Sequence, residues 1–302
     1  MATSELYEVV IPTDRWTIRA VSPVDIRDGV DESMGHPVII HPGWGKAPER
    51  HAELMADVAA TGLLPIGVDT RYGYADQTSH QAPSDKSKLK RTVEHSWNVG
   101  STNPYFDVED RTQNRFQLRR PTSLLYLCER LGIVNRSYVG HSEGARVVSI
   151  AAQKSAELDH NVGKVVIVNG VGTGDSSNGY LRLLRSNSST IETVKRGDLS
   201  WRETVASAIG STGHYLTHPR RTLREKHVIQ NTNLWETIDQ LRPLNIPVSV
   251  LHARDDALVS FQESAEQAQE RPWVHFQATD GSHTNVYGSV VRGLILGELT
   301  ST

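Results

Sequence analysis

Cysteine is almost missing from this chain: Cys128 is the only one in 302 residues. An internal disulfide is thereby excluded, and a reducing, cytoplasmic setting is expected. Cys128 lies in the helical pattern Leu124-Leu-Tyr-Leu-Cys128, where a thiol serves as a small core residue rather than a nucleophile. Long apolar runs are missing too. No stretch approaches the roughly 20 residues that span a bilayer. Met1 to Ala20 carries charges throughout, so no signal peptide is expected. Nor is there strong charge of either sign, since 32 Lys and Arg against 35 Asp and Glu leave −3. That balance offers no broad attraction to nucleic acid or an anionic membrane. A length of 302 residues suffices for one large α/β domain with an insertion, or for two smaller domains.

What is present centres on Ser137-Tyr-Val-Gly-His-Ser-Glu-Gly-Ala-Arg-Val-Val148. Ser137 to Val139 has β propensity and ends at Gly140. Glu143 to Ala152 is rich in Ala, Val and Ile at helical spacing. A strand that runs straight into a helix, with glycine two places either side of Ser142, is the nucleophile-elbow pattern G-x-S-x-G. Such a turn strains the serine backbone and needs small neighbours where strand and helix approach. It also sets the hydroxyl at a helix N-terminus, where N–H groups and the helix dipole favour developing negative charge. Three fixed positions of this kind arise by chance in about one chain in ten of this length. The flanking strand and helix are therefore what give the motif its weight.

Along the rest of the chain, Leu6–Ile11 and Trp16–Val21 read as a hairpin. Pro37–Ile40 and Leu64–Val68 are short apolar runs, suited to strands buried on both faces, with helical spacing over Glu49–Thr61 between them. Strand, helix, strand predicts a parallel sheet with right-handed crossovers. Ala75–Asp110 is polar and broken by Gly and Pro, and its basic cluster Lys86–Arg91 reads as a solvated face. Arg111–Leu131 reads as a helix interrupted or restarted at Pro121. Lys164–Val168 is another buried strand, and Asn169-Gly-Val-Gly-Thr-Gly174 a tight exit from it. A dinucleotide loop is not expected there, because Asp175 stands where its last glycine belongs. Ser176–Leu241 lacks any strand-like run and reads as a helical insertion. The sheet resumes at Pro247–His252, followed by a helix at Gln262–Glu270, a strand at Trp273–Phe276 and a helix over Asn285–Leu299.

A serine hydroxyl becomes nucleophilic when a base takes its proton, and the base needs a third group to hold its tautomer. After a nucleophile elbow, the acid and then the histidine follow along the chain. The exit loop of Pro247–His252 reads Ala253-Arg-Asp-Asp-Ala-Leu-Val259 and offers Asp255 or Asp256. The loop after Trp273–Phe276 reads Ala278-Thr-Asp-Gly-Ser-His283 and offers His283, with Asp280 a lesser candidate for the acid. His214 and His218, four apart, lack the glutamate of a zinc-binding helix and meet Pro219, so no metal site is expected.

In these motifs and their order, along nearly its whole length, the chain resembles the α/β-hydrolase superfamily, specifically its cofactor-free serine hydrolases with a helical lid. The resemblance places the acid at the first position of Asp256-Ala-Leu-Val259 and the base in Gly281-Ser-His283. It matches the family's His-Gly oxyanion loop to His41-Pro-Gly-Trp-Gly45, with Pro42 inserted. The implied fold is α/β, a mostly parallel sheet flanked by helices, with residues 1–175 and 242–302 as core and 176–241 as a helical cap. Ser142, His283 and Asp256 become the catalytic set. The N–H groups of Trp44 and Glu143 become the oxyanion donors. The implied activity is hydrolysis of a carboxylic ester of a small molecule, without cofactor. A serine at the elbow disfavours the relatives that use aspartate there, haloalkane dehalogenases and epoxide hydrolases. Amide or C–C bond hydrolysis, acyl transfer, cofactor-free peroxidation and a non-turning-over ligand receptor are the alternatives. Neither the substrate nor the oligomeric state is specified.

Overall fold

A computed structural model describes residues 6–12, 17–43, 47–69, 89–93, 115–174 and 233–301. Among them nine strands form one sheet. In chain order these are β1 (Leu6–Pro12), β2 (Thr17–Ser22), β3 (Pro37–His41), β4 (Leu64–Asp69), β5 (Leu89–Val93), β6 (Arg136–His141), β7 (Val162–Val168), β8 (Val248–Ala253) and β9 (Val274–Thr279). Their order across the sheet is β5-β1-β2-β4-β3-β6-β7-β8-β9, and β2 alone runs against its neighbours. Apolar runs without alternation make sense here, because β3, β4, β6 and β8 are buried along their whole lengths.

Helices cover both faces. The described ones are α1 (Ala52–Ala60), α2 (Arg115–Arg130), α3 (Glu143–Glu157), α4 (Leu234–Asp239), α5 (Phe261–Gln269) and α6 (Ser289–Thr300). Ile39 of β3 faces the layer of α2, α3 and α4, together with Leu127, Val148 and Trp235. Its neighbours Val38 and Ile40 face the layer of α1 and α6, with Leu54, Val58 and Ile295. This two-sided burial follows from the strand period of two. From β3 the chain moves outward to β4, and later returns to lay β6 on the other side of β3. The carboxyl ends of β3 and β6 thus flank a topological switch point, where open α/β sheets hold their ligands.

Three expectations change. The polar stretch 75–110 contributes an edge strand, β5, parallel to β1; the rest of it lies outside the described residues. Pro121 sits within α2, which continues through it, since the proline withholds only its own N–H from the helix ladder. The single C-terminal helix expected over Asn285–Leu299 is a 3-10 turn, Asn285–Tyr287, then α6, separated at Gly288 by extended backbone.

The expected insertion 176–241 falls outside the described residues up to residue 232, and its last part packs into the core. Leu234, Trp235, Ile238 and Leu241 are all buried. Leu234 N–H donates to Gly172 O at 2.9 Å and Trp235 Nε1–H to Thr173 O at 2.8 Å. The Arg271 guanidinium lies 5.0 Å from the Trp235 ring centre. Trp235→Ala should therefore cost about 3–5 kcal/mol of stability, read as a lowered urea midpoint; a change below about 1 kcal/mol, the size expected of a surface position, would place this helix outside the core.

Candidate active site

The turn between β6 and α3 begins with backbone geometry. Ser142 has φ 56° and ψ −121°, a conformation that costs a side-chain-bearing residue about 1–3 kcal/mol. Its N–H donates to Val168 O at 2.9 Å, and its carbonyl accepts from Ala145 N–H and Val171 N–H, each at 3.2 Å. The strain is thus held by β7 and its exit loop. Both motif glycines are required by close approach. A Cβ on Gly140 would stand 2.5 Å from Val148 Cγ2, and one on Gly144 2.4 Å from His41 O.

Residues distant in the chain converge on this serine. Ser142 Oγ lies 2.8 Å from His283 Nε2, and His283 Nδ1 lies 2.7 Å from Asp256 Oδ2. A carboxylate only accepts, so Nδ1 carries the proton and Nε2 faces the hydroxyl as acceptor. Asp256 Oδ1 accepts N–H groups of Leu258 at 2.8 Å and Val259 at 3.0 Å. Burial alone would raise the Asp256 pKa. The charge and hydrogen bond of His283, with His252 and the Val259 N–H, overcome it and hold the carboxyl below its ordinary value. The rival acids point away: Asp255 is exposed and the Asp280 side chain is 98% exposed.

The expected oxyanion donors divide. Trp44 lies outside the described residues, while the chain before it is placed: a Cβ on Gly43 would stand 2.9 Å from Ser142 Cβ and 3.4 Å from Oγ. That loop therefore passes close against the Ser142 side chain. Pro42 O accepts from His41 Nδ1–H at 2.9 Å. Glu143 opens α3, so its N–H is one the helix ladder leaves unused. Its side chain is occupied elsewhere, ion-paired with Arg120 at 2.5 Å and Arg146 at 3.6 Å. His214 and His218 lie outside the described residues, among which no cluster of three or more His, Cys, Asp or Glu side chains could hold a metal. Likewise no described helix is long and apolar enough to cross a membrane.

Sequence reasoning passes over the groups behind this chain of side chains. His252, four residues before Asp256, is fully buried with Nε2 3.7 Å from Asp256 Oδ2. His141 Nε2–H donates to the His283 carbonyl at 2.9 Å. Asn169 Nδ2 donates to that same carbonyl at 2.9 Å. His141 adjoins Ser142 in sequence, Asn169 follows β7 and His252 lies within β8, yet nothing local distinguishes any of them from a core or turn residue.

The sequence matches no protein-family model and no curated protein. Solved structures share its backbone. A bromoperoxidase from Bacillus anthracis aligns over 96% of this chain and 99% of its own, at 15% identity and TM-score 0.62. An alpha/beta hydrolase from Novosphingobium aromaticivorans covers 98% of each chain at 16% identity and TM-score 0.60. A structure reported with carboxylesterases of the ammonia-oxidizing Thaumarchaeon Nitrososphaera gargenis aligns over 96% of this chain and 97% of its own, at 14% identity and TM-score 0.57. This chain has the α/β-hydrolase fold.

Burial also holds imidazoles neutral around the site. His41 and His252 are depressed by burial, and His51 is pushed down to about 3. Neither ring nitrogen of His51 has a hydrogen-bond partner among the described residues. Unfolding returns each ring to an ordinary value near 6.5, so the unfolded chain binds more protons below that pH. The stabilisation is complete above pH 6.5 and is lost as pH falls toward the folded value. For His51 the window is about 6.5 to 3. His51→Phe should flatten the stability–pH slope there by about 1.4 kcal/mol per pH unit; urea melts at stepped pH with an unchanged slope would refute a neutral buried His51.

Proposed function

We propose that this protein hydrolyses a carboxylic ester of a small molecule through an acyl-enzyme intermediate. The observation that carries the reading is the Ser142–His283–Asp256 chain of hydrogen bonds, 2.8 and 2.7 Å long, at a strained strand-to-helix turn. The roles follow from that geometry. Ser142 Oγ attacks the acyl carbonyl while His283 Nε2 takes its proton. Asp256 keeps the proton on Nδ1 and stabilises the imidazolium that forms. The N–H of Glu143, with that of Trp44 as the second donor, would hold the oxyanion, a contribution worth roughly a hundredfold or more in rate. His283 then returns its proton to the leaving alkoxide. In the second half it activates water, which attacks the acyl carbon and frees Ser142.

The esterases and alpha/beta hydrolase among the structural neighbours support this reading at the level of the fold. So does the outward placement of the two neighbouring acids, Asp255 and Asp280, which face solvent. Residues 176–232 would act as a cap over the carboxyl ends of β3 and β6, since Leu234–Leu241 packs into the core. Across 176–241, nine Lys and Arg against six Asp and Glu favour a substrate with a polar or anionic group. A thioesterase domain from the curacin biosynthetic pathway, 10% identical, shares the fold at TM-score 0.57, which makes a thioester, with a thiolate as leaving group, a substrate to compare.

Two measurements decide the matter. The protein should turn over p-nitrophenyl acetate many times per active site, and a fluorophosphonate should label it one to one, with Ser142→Ala abolishing both. Asp256→Asn should lower kcat about a thousandfold or more, because it leaves His283 with the wrong tautomer. Tight retention of a ligand with a single turnover would instead identify a receptor, and parallel assays on amide and thioester substrates would identify a different leaving group.

A further inference from the structure

Asn169, the residue that follows β7, is fully buried and has a φ of 49°, in the left-handed region. Its carboxamide is used on both sides. Nδ2 donates to His283 O at 2.9 Å and to Asn285 Oδ1 at 2.8 Å, with Ser282 O at 3.4 Å. Oδ1 accepts the Ala253 N–H at 2.8 Å, at the start of the loop that carries Asp256. Its backbone N–H donates to Leu251 O at 2.9 Å, and the preceding carbonyl, Val168 O, accepts the Ser142 N–H. One residue therefore touches the loops of the acid and of the base, and adjoins the anchor of the nucleophile.

We propose that Asn169 is a positioning residue that sets His283 against Ser142 and Asp256; the proposal rests on reading those three as the hydrolytic set. The ladder between β8 and β9 ends at Ala253 and Thr279. Past it, Arg254 N–H bonds Thr279 O and Asp255 N–H bonds Gly281 O, and both bonds stop short of His283. The carbonyl of His283 is gripped instead by Asn169 Nδ2 and by His141 Nε2, which comes from β6. The base is thus indexed to the strands on either side of the elbow. The chemistry selects asparagine. Two donors must face oxygens and one acceptor must face an N–H, from a short side chain that tolerates positive φ. An aspartate would keep the acceptor and set its second oxygen against His283 O and Asn285 Oδ1.

Asn169→Gly keeps the backbone conformation and removes the bridge. With p-nitrophenyl acetate its kcat should fall on the order of a hundredfold, the penalty of a misplacement near 1 Å, while KM stays within about threefold. Fluorophosphonate labelling should slow in parallel. Asn169→Asp should also be impaired, and its activity relative to wild type should rise as pH falls, because protonation of the new carboxyl restores a donor. Melting curves establish that each variant is folded. The proposal is overturned if the folded glycine variant keeps kcat within about twofold of wild type, a change too small for lost positioning, or if the aspartate-to-wild-type ratio is flat with pH. Failure of both variants to fold also overturns it, in favour of a purely structural role. A wild-type protein inert to ester and fluorophosphonate alike would sink the triad reading; an active wild type with an unimpaired Asn169→Gly would sink this proposal alone.

Discussion

The left-handed turn at Ser142 is the constraint from which the rest of the site follows. With φ 56°, the serine leaves β6 and enters α3 within a single residue, so its hydroxyl stands clear of both elements. That path brings α3 against the strand, and it succeeds only because Gly140 and Gly144 present no side chain where Val148 and His41 O crowd in. The energy of the turn is offset outside it, through bonds from Val168 O and Val171 N–H and through the burial of α3 along Ala145, Val148 and Ala152. A rigid parallel sheet with helices on both faces supplies that compensation.

Charge inside the molecule obeys a consistent logic. Each buried carboxylate near the site has cationic or N–H partners: Asp256 has His283 with two N–H groups, and Glu143 has Arg120 and Arg146. Burying either alone would be prohibitive. The imidazoles of His41, His51 and His252 are kept neutral by the same burial. A neutral histidine can donate from one nitrogen and accept at the other, which is what His283 does between Asp256 and Ser142. The low dielectric that penalises a stray charge is also what would make an oxyanion donor effective.

Much of this was legible because the signals are local. Apolar runs such as Pro37–Ile40 and Lys164–Val168 lie in strands buried on both faces, and helical spacing over Glu49–Thr61 reflects one side packed on the sheet. The elbow, the Asp256 loop and the His283 loop each follow a strand and carry turn residues, so their place at one edge of the sheet is readable from order alone. Strand β5 escaped notice because Leu89-Lys-Arg-Thr-Val93 carries two cations and lies at an edge, where pairing with β1 rather than burial makes it a strand. The segment Leu234–Leu241, which holds α4, reads as part of an insertion because amphipathic spacing does not say which surface a helix covers.

By itself, the sequence determined the kinds of element, their order, and the residue types able to activate a serine, since periodicity and turn chemistry are properties of neighbouring residues. Only the tertiary structure shows Asp256 turned inward, as the family resemblance implied, since Asp255 and Asp256 are adjacent and of one chemistry, and a single peptide unit sends one to solvent and the other to His283. It alone joined Asn169 to a carbonyl 114 residues away. Hydrogen bonds of that kind depend on distance and direction in space, which the chain acquires when the sheet brings the ends of its strands together.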